Sequence, residues 1–224
     1  MKVLFENNVI FQSFSKTISY LFNPQKSITM ATTPKKVKGT QTEKNLMSAY
    51  FAESTAYTRY MFYAKQADKE NYFPIGQIFR ETAENEMTHG KVFFKFLEGG
   101  KCMVELDGDA GVIGDTATNL EIAISEELNE GTEFYLAAAK TADEEGFGDI
   151  ADHFRAIAEV ETHHRMRFEH YLAQVKAGTV WKRDTPIKWQ CLVCGYIYEG
   201  TEPPTTCPGC DHPYQHYMAL DYQL

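Results

Sequence analysis

The stretch IADHFRAIAEVETHHRMRF, residues 150–168, decides the fold of this chain. Glu161 and His164 are three positions apart in it, so a helix places both side chains on one face. The apolar residues Ile150 and Phe154 continue that face, which directs the carboxylate and the imidazole toward a core. Burying such groups is costly unless they are paired, so the stretch implies a partner for them.

A near copy of this stretch begins at Ile75, and it contains a second Glu-x-x-His, formed by Glu86 and His89. The residues that recur at one constant offset are Ile75/Ile150, Phe79/Phe154, Arg80/Arg155, Ala83/Ala158, Glu84/Glu159, Glu86/Glu161, His89/His164, Phe93/Phe168 and Leu97/Leu172. A lone Glu-x-x-His is common on surface helices. Two copies on matching apolar faces indicate an internal repeat.

The composition is that of an ordinary globular protein. The 224 residues are 43% hydrophobic and 24% charged, and the net charge of −9 gives nucleic-acid binding no electrostatic support. No apolar run approaches the roughly 18 residues that span a membrane, so no membrane role is predicted. Four of the five cysteines form two Cys-x-x-Cys pairs. This pattern favours a metal site over a disulfide framework and indicates a reducing compartment, the cytoplasm.

Residues 1–39 differ from the rest of the chain, with six lysines against one acidic residue, Glu6. We predict a disordered extension or an upstream start, because Met30 opens a segment, MATTP, that looks like a natural protein start. A targeting segment is the alternative. The stretch lacks the arginines of a transit peptide and the long apolar core of a secretory signal.

Helical periodicity begins at Thr40, which can form a capping box with Glu43. Pro74 and the glycines at 99–100 and 146 then divide the pattern into four helices that end near Lys176. The glycine-rich residues 99–117 are predicted to form a long crossover. The predicted organisation is an extension over 1–39, a four-helix bundle over 40–177, a linker over 178–187 and short strands over 188–224.

Each predicted hairpin contributes one Glu and then a Glu-x-x-His to the bundle interior. The set is Glu53, Glu86 and His89 from the first hairpin, and Glu127, Glu161 and His164 from the second, with Glu130 one turn after Glu127. Unpaired buried carboxylates are strongly destabilising, and two divalent cations would neutralise most of their charge. This ligand set is the pattern of carboxylate-bridged di-iron or di-manganese bundles.

Two features of this assignment have alternatives. The carboxylates could be solvated helix faces, but that does not explain why four helices each place a Glu amid apolar stripes. The register is ambiguous by one residue, because Glu126 adjoins Glu127 and His163 adjoins His164. The constant repeat offsets favour Glu127 and His164.

The cysteines near the C-terminus form two pairs, Cys191 with Cys194 and Cys207 with Cys210. Together they supply four thiolates for a tetrahedral site. The spacing alone leaves zinc and iron open. The carboxylate cluster favours iron, because a redox bundle needs an electron supply and zinc cannot provide one.

From about residue 38 to its end, the chain resembles the rubrerythrins. The motifs that carry the resemblance are FAEST (51–55), ETAENEMTH (81–89), EELNEGTEFY (126–135), EVETHHRMRF (159–168) and the pair CLVCGY and CPGC (191–210). The resemblance implies a mainly α fold, with a ferritin-like four-helix bundle containing a long crossover and a small rubredoxin-like β domain. It implies two non-haem irons in the bundle and one iron on the four cysteines.

The resemblance also implies a function, a non-haem di-iron peroxidase that reduces hydrogen peroxide to water. Electrons would come through the Fe(SCys)4 site from an NAD(P)H-dependent reductase or a rubredoxin, in a homodimer in which the cysteine domain of one chain approaches the di-iron site of the other. The single short linker leaves both cis and trans arrangements open. It further implies that Tyr60 and Tyr135 lie beside the di-iron carboxylates, unless they are simple core residues, and that His89 and Glu130 exchange as ligands. A ferroxidase or iron-handling protein is the alternative, and a zinc ribbon on an interaction bundle ranks last.

Overall fold

The computed structural model describes residues 35–106 and 109–222. Its helices are α1 (Gln41–Lys69), α2 (Phe73–Phe96), α3 (Thr116–Leu128), α4 (Tyr135–Glu144) and α5 (Gly148–Ala177). A π-helical turn, Asn129–Phe134, joins α3 to α4, so the two form one long helix of the bundle. Residues 1–34 of the predicted extension lie outside the described residues.

The helices form two hairpins, α1 with α2 and α3–α4 with α5, and the predicted four-helix bundle with a long crossover is confirmed. The crossover occupies residues 97–115, of which the structure describes all but two. Helix α3 begins two residues earlier than the sequence predicts, because the Asp115 side chain accepts a hydrogen bond from the Thr118 N–H and caps it. At α1 the predicted cap is present, with Thr40 accepting from the Glu43 N–H at 3.1 Å.

Each hairpin supplies a glutamate, just after its own first helix, that caps the start of a helix in the other hairpin. Glu70 accepts a hydrogen bond from the Thr116 N–H at 2.9 Å at the start of α3. Glu145 accepts from the N–H groups of Gln41 and Thr42 at 3.1 and 2.8 Å at the start of α1, and from the Thr42 hydroxyl at 2.6 Å. These carboxylates satisfy helix N–H groups that have no partner within their own helix, so they stabilise the association of the two hairpins.

Substituting Glu145 with Ala is expected to lower the free energy of unfolding of the bundle by about 1–2 kcal/mol, the cost of losing a helix cap. Burial raises the pKa of Glu145, but its hydrogen bonds with Thr42 and Gln41 outweigh burial and lower it overall. The stabilisation is therefore present above the pKa of the unfolded carboxyl and is lost as the pH falls through the lower folded value. Urea unfolding at neutral and acidic pH measures both effects.

The control is Glu144→Ala, which removes the exposed carboxylate one residue earlier. Its contact is a 3.9 Å ion pair with Lys140, and exposed pairs of this kind contribute little. Equal losses of stability in the two variants would contradict the capping role of Glu145.

The bundle core consists of two apolar clusters at different heights along the helices. One contains Leu46, Phe93, Tyr135 and Phe154, and the other contains Tyr60, Tyr63, Phe79, Leu120 and Phe168. The buried carboxylates of Glu53, Glu86, Glu127 and Glu161 lie at intermediate heights on the same helices. Apolar layers on both sides therefore limit the access of water to the charged residues between them.

The C-terminal residues form a three-stranded antiparallel sheet with strand order β2-β1-β3, built from β1 (Ile187–Cys191), β2 (Ile197–Gly200) and β3 (Tyr217–Ala219). This unit contacts the start of α2, where Phe73 stacks on His216 with ring centroids 3.8 Å apart. Just before α2, Tyr72 stacks at 5.5 Å on Trp181, which precedes β1 in the chain. Among the described residues, none of the helices is long and apolar enough to cross a membrane.

Candidate metal centres

The two hairpins repeat each other in sequence, but the long helix formed by α3 and α4 contains one residue more between its matching glutamate and tyrosine than its counterpart α1. Tyr60 follows Glu53 by seven positions, whereas Tyr135 follows Glu127 by eight. The extra residue falls in the π-helical turn, where the Tyr135 N–H donates to the carbonyl of Glu130, five residues earlier. An inserted residue commonly produces such a turn, and these turns are frequent at functional sites.

Glu86 and Glu161 lie at the centre of the charged cluster, and each presents one oxygen to each histidine. His89 Nδ1 is 3.0 Å from Glu86 Oε2 and 3.1 Å from Glu161 Oε1. His164 Nδ1 is 3.1 Å from Glu86 Oε1 and 2.8 Å from Glu161 Oε2. All four side chains are buried. The arrangement has the form of two adjacent sites that share two bridging carboxylates.

Glu53 and Glu127 complete the two sites in matching positions. Glu53 Oε2 is 3.7 Å from His89 Nδ1, and Glu127 Oε2 is 3.6 Å from His164 Nδ1. The remaining oxygen of each accepts a hydrogen bond at 2.6 Å, from the Tyr135 hydroxyl to Glu53 and from the Tyr60 hydroxyl to Glu127. The structure thus places both predicted tyrosines beside the carboxylates, each bonded to the Glu of the other hairpin.

The structure also resolves the register of the neighbouring candidates. His164 is 4% exposed and lies in the cluster, whereas His163 is exposed on the surface of α5. Glu127 is buried in the cluster, and Glu126 instead forms an ion pair with Arg59. The repeat offsets therefore select the same histidine and the same glutamate that the structure brings together.

The groups in this cluster strongly shift one another's ionisation. Burial, together with neighbouring carboxylates, raises the pKa of Glu53 and of Glu127 well above the usual value. Burial lowers the pKa of His89, but contacts with three carboxylates outweigh it and raise the value to about 12. Burial likewise opposes ionisation of Glu161, yet the imidazoles of His164 and His89 bring its pKa to about 2. Burial thus disfavours negative charge on Glu53 and Glu127, a cost that bound divalent cations would offset.

Glu130 lies in the π-helical turn, outside the two groups of closely spaced ligand atoms. Burial raises its pKa well above the usual value, and the charge of Glu53 is the next largest contribution. Its charge therefore acts most strongly on Glu53, which belongs to the ligand group of His89. Its repeat counterpart is Ala56, so the two sites differ on this side.

Sequence reasoning missed Arg59, a cation near the π-helical turn. Its guanidinium donates a hydrogen bond to the Asp109 carbonyl at 2.8 Å and pairs with Glu126, and its charge lowers the pKa of Glu130 against the effect of burial. Arg59 therefore links α1, α3 and the crossover. No motif marks it, because its partners, a backbone carbonyl and Glu126, are at least 50 residues away in the chain.

The four cysteines of the C-terminal unit converge in one place. Cys191 Sγ lies 3.7 Å from Cys210 Sγ, and Cys194 Sγ lies 3.6 Å from Cys207 Sγ. A tetrahedral site with metal–sulfur bonds of about 2.3 Å has sulfur atoms about 3.8 Å apart, which these distances match.

Backbone N–H groups surround the sulfurs. The N–H groups of Tyr196, Gly209 and His212 donate to the cysteines two residues earlier, Cys194, Cys207 and Cys210. Close packing explains the glycine inside the second pair, because a Cβ on Gly209 would lie 3.2 Å from Cys194 Sγ. Such N–H···S hydrogen bonds stabilise negative charge on the sulfurs and tune the reduction potential of an iron held there.

The residues of the bundle fit two divalent irons. Glu53, Glu86, His89 and Glu161 form one group of ligand atoms that all lie within 4.8 Å of one another, and Glu86, Glu127, Glu161 and His164 form the second. Neither oxygen of Glu161 has a hydrogen bond of good geometry with the described residues, although both are fully buried. Oxygen-rich sites with one imidazole suit iron or manganese, and two cations would satisfy these oxygens.

Comparisons with known proteins agree with both sites. The sequence profile of the rubrerythrin family matches residues 44–119 and 118–190, and that of the rubrerythrin rubredoxin-like domain matches residues 189–218. A rubrerythrin of Porphyromonas gingivalis is 46% identical over 186 residues, which cover 83% of this chain and 93% of that protein. These matches, with the clusters above, confirm the predicted di-iron carboxylate and four-cysteine iron sites.

Solved structures support the same fold. Fully reduced, all-ferrous nigerythrin is 25% identical with a TM-score of 0.54, and the match covers 86% of this chain and 96% of that chain. A bacterioferritin of Desulfovibrio desulfuricans, described with a diiron site, is 22% identical with a TM-score of 0.56, and the match covers 61% and 81%. The predicted ferritin-like bundle with a rubredoxin-like β domain is confirmed.

Proposed function

Because this chain belongs to the rubrerythrin family, we propose that it is a peroxidase that reduces hydrogen peroxide to water at its di-iron carboxylate site. The observation that carries the proposal is the sharing of Glu86 and Glu161 between two ligand groups, in a chain that also contains a four-cysteine site. The first arrangement stores two electrons, and the second passes electrons one at a time.

The ligand assignment follows the two groups of close atoms. Glu53, Glu86, His89 and Glu161 would hold one iron, and Glu86, Glu127, Glu161 and His164 would hold the other. Glu130, whose charge acts most strongly on Glu53, would be an additional ligand of the first iron. When bound as the reduced pair, two irons would supply the two electrons that convert H₂O₂ and two protons to two waters. The carboxylates then buffer the change in charge between the two redox states.

Tyr60 and Tyr135 position the two terminal carboxylates. Burial and the adjacent carboxylates raise the pKa of both hydroxyls well above the usual value, so both remain protonated and act as hydrogen-bond donors. Each donates to one oxygen of Glu127 or Glu53 and leaves the other oxygen directed at a histidine. The aromatic rings around them restrict water, which limits side reactions at the site.

The position of the cysteine domain supports electron transfer between two chains. His216, whose carbonyl accepts from the Leu192 N–H next to Cys191, stacks on Phe73 at the start of α2. Glu86 lies further along that helix by about 20 Å, at about 1.5 Å per residue. A route within one chain would have to cover this length of helix. We therefore propose a homodimer in which the cysteine domain of one chain serves the di-iron site of its partner.

The electron source and the cellular setting complete the proposal. The four cysteines group as a metal site instead of pairing in disulfides, which suits a reducing compartment such as the cytoplasm. The chain shows no Gly-rich dinucleotide-binding fingerprint, so electrons would come from a separate NAD(P)H-dependent reductase or a rubredoxin.

A ferroxidase or iron-handling protein is the second candidate, because a bundle with these ligands also suits oxidation of Fe²⁺. Rapid mixing of the anaerobically reduced protein with either peroxide or air-saturated buffer separates the two functions. The peroxidase predicts faster oxidation by peroxide than by oxygen, with the irons retained. Faster oxidation by oxygen, with release of ferric iron and turnover of added Fe²⁺, would instead establish the ferroxidase.

A further inference from the structure

His164 has hydrogen-bonding neighbours at both of its ring nitrogens. Its Nδ1 faces Glu161 and Glu86 at 2.8 and 3.1 Å, inside the cluster. Its Nε2 points the other way and lies 3.3 Å from the Oδ1 of Asn85, the residue that precedes Glu86 on α2. Helix α2 therefore supplies a bridging carboxylate from one residue and a partner for the histidine of α5 from the adjacent residue.

We propose that Asn85 is a positioning residue for His164. An imidazole that binds a metal through Nδ1 carries its proton on Nε2, and a carbonyl acceptor at Nε2 favours that tautomer and fixes the plane of the ring. Asn85 thus holds His164 with Nδ1 toward the metal position before any metal binds. This inference rests on the proposed function, because it concerns a ligand of the proposed di-iron site.

The internal repeat shows that only His164, and not His89, has an asparagine at this position of the neighbouring helix. His89 is the counterpart of His164, and the residue equivalent to Asn85 is Val160, whose side chain has no hydrogen-bonding atom. The sites therefore differ not only through Glu130, whose charge acts most strongly on the His89 group, but also through Asn85, which contacts His164. Loss of the Asn85 side chain should weaken the binding of one of the two metal ions more than that of the other.

The test titrates metal-free full-length protein with Co²⁺ under anaerobic conditions. Cobalt bound to thiolates has intense charge-transfer absorption, which separates the cysteine site from the bundle. Asn85→Leu is expected to weaken one of the two bundle equivalents by roughly 10–100-fold, the usual effect of removing an outer partner of a ligating histidine. Asn85→Asp, which restores an acceptor of the same length, is expected to bind that equivalent at least as tightly as the native protein.

Glu84→Gln is the control, because it changes an exposed residue on the same turn of α2 and removes a charge without touching His164. It should leave both equivalents unchanged. The inference is overturned if Asn85→Leu binds both equivalents like the native protein, or weakens both equally together with a lower melting temperature of the metal-free protein. Failure of the native bundle to bind two equivalents would instead overturn the proposed function itself.

Discussion

Glu161→Gln is expected to abolish iron binding in the bundle and peroxide reduction with it. Glu161 gives one oxygen to each histidine, at 3.1 and 2.8 Å, and belongs to both groups of ligand atoms. The amide has nearly the same shape as the carboxylate but lacks its charge, and an amide bridges two cations poorly. Iron analysis of the purified variant should find only the iron of the cysteine site.

Two matched variants make this prediction specific. Glu53→Gln changes a ligand of only one group, so it should lose about half of the bundle iron and keep the other half. Glu159→Gln changes an exposed carboxylate two residues before Glu161 on α5 and should keep both irons. If Glu161→Gln retained as much iron as Glu53→Gln, the bridging role of Glu161 would be wrong.

Cys191→Ser is expected to abolish sustained turnover with a reductase while leaving the first turnover of the chemically reduced protein intact. Cys191 is fully buried at the end of β1, and its loss removes one of four thiolates from the electron-transfer site. The proposed di-iron ligands all lie in the helical bundle, and none lies in the cysteine domain. Stopped-flow measurement of one turnover, followed by steady-state assay with an added reductase, gives both quantities.

Cys102→Ser is the control, because Cys102 is the remaining free cysteine and lies in the crossover, away from the four-cysteine group. It should support native single and sustained turnover. If Cys191→Ser lost the first turnover as well, the proposed division between an iron pair that reacts and a cysteine site that reloads it would fail.

The prediction of the carboxylate and histidine cluster rested on the internal repeat more than on any single motif. Glu161 and His164 alone also fit a solvated helix face. The recurrence of Glu86 and His89 at a constant offset showed that two helices direct the same pair inward. Periodicity predicts which face of a helix is buried, so the burial of these four residues required no tertiary information.

Other features were not predictable from the sequence. The π-helical turn was missed because Glu127 and Glu130 also share a face of an ordinary α-helix, and the only signal is the change of repeat offset between Glu127 and Tyr135. Arg59 was missed because its carbonyl partner lies in the crossover. Asn85 was missed because its partner lies on another helix, far away in the chain. These contacts depend on how the elements pack, which local pattern does not specify.

The domain boundaries and the individual ligand roles stay predictions. One contact bears on the predicted linker, residues 178–187. Trp181 stacks on Tyr72, so this stretch packs against the bundle. A short polar segment gives no sign of such packing, because stacking of two aromatic residues distant in sequence is a tertiary contact.

Iron content and peroxide consumption of one anaerobic preparation test the central claim most directly. The two groups of ligand atoms in the bundle and the four cysteines predict three irons per chain. They also predict that each reduced iron pair consumes one molecule of hydrogen peroxide and becomes oxidised. Zinc in the cysteine site of natively expressed protein, or a reduced iron pair that leaves peroxide unconsumed, would contradict the account.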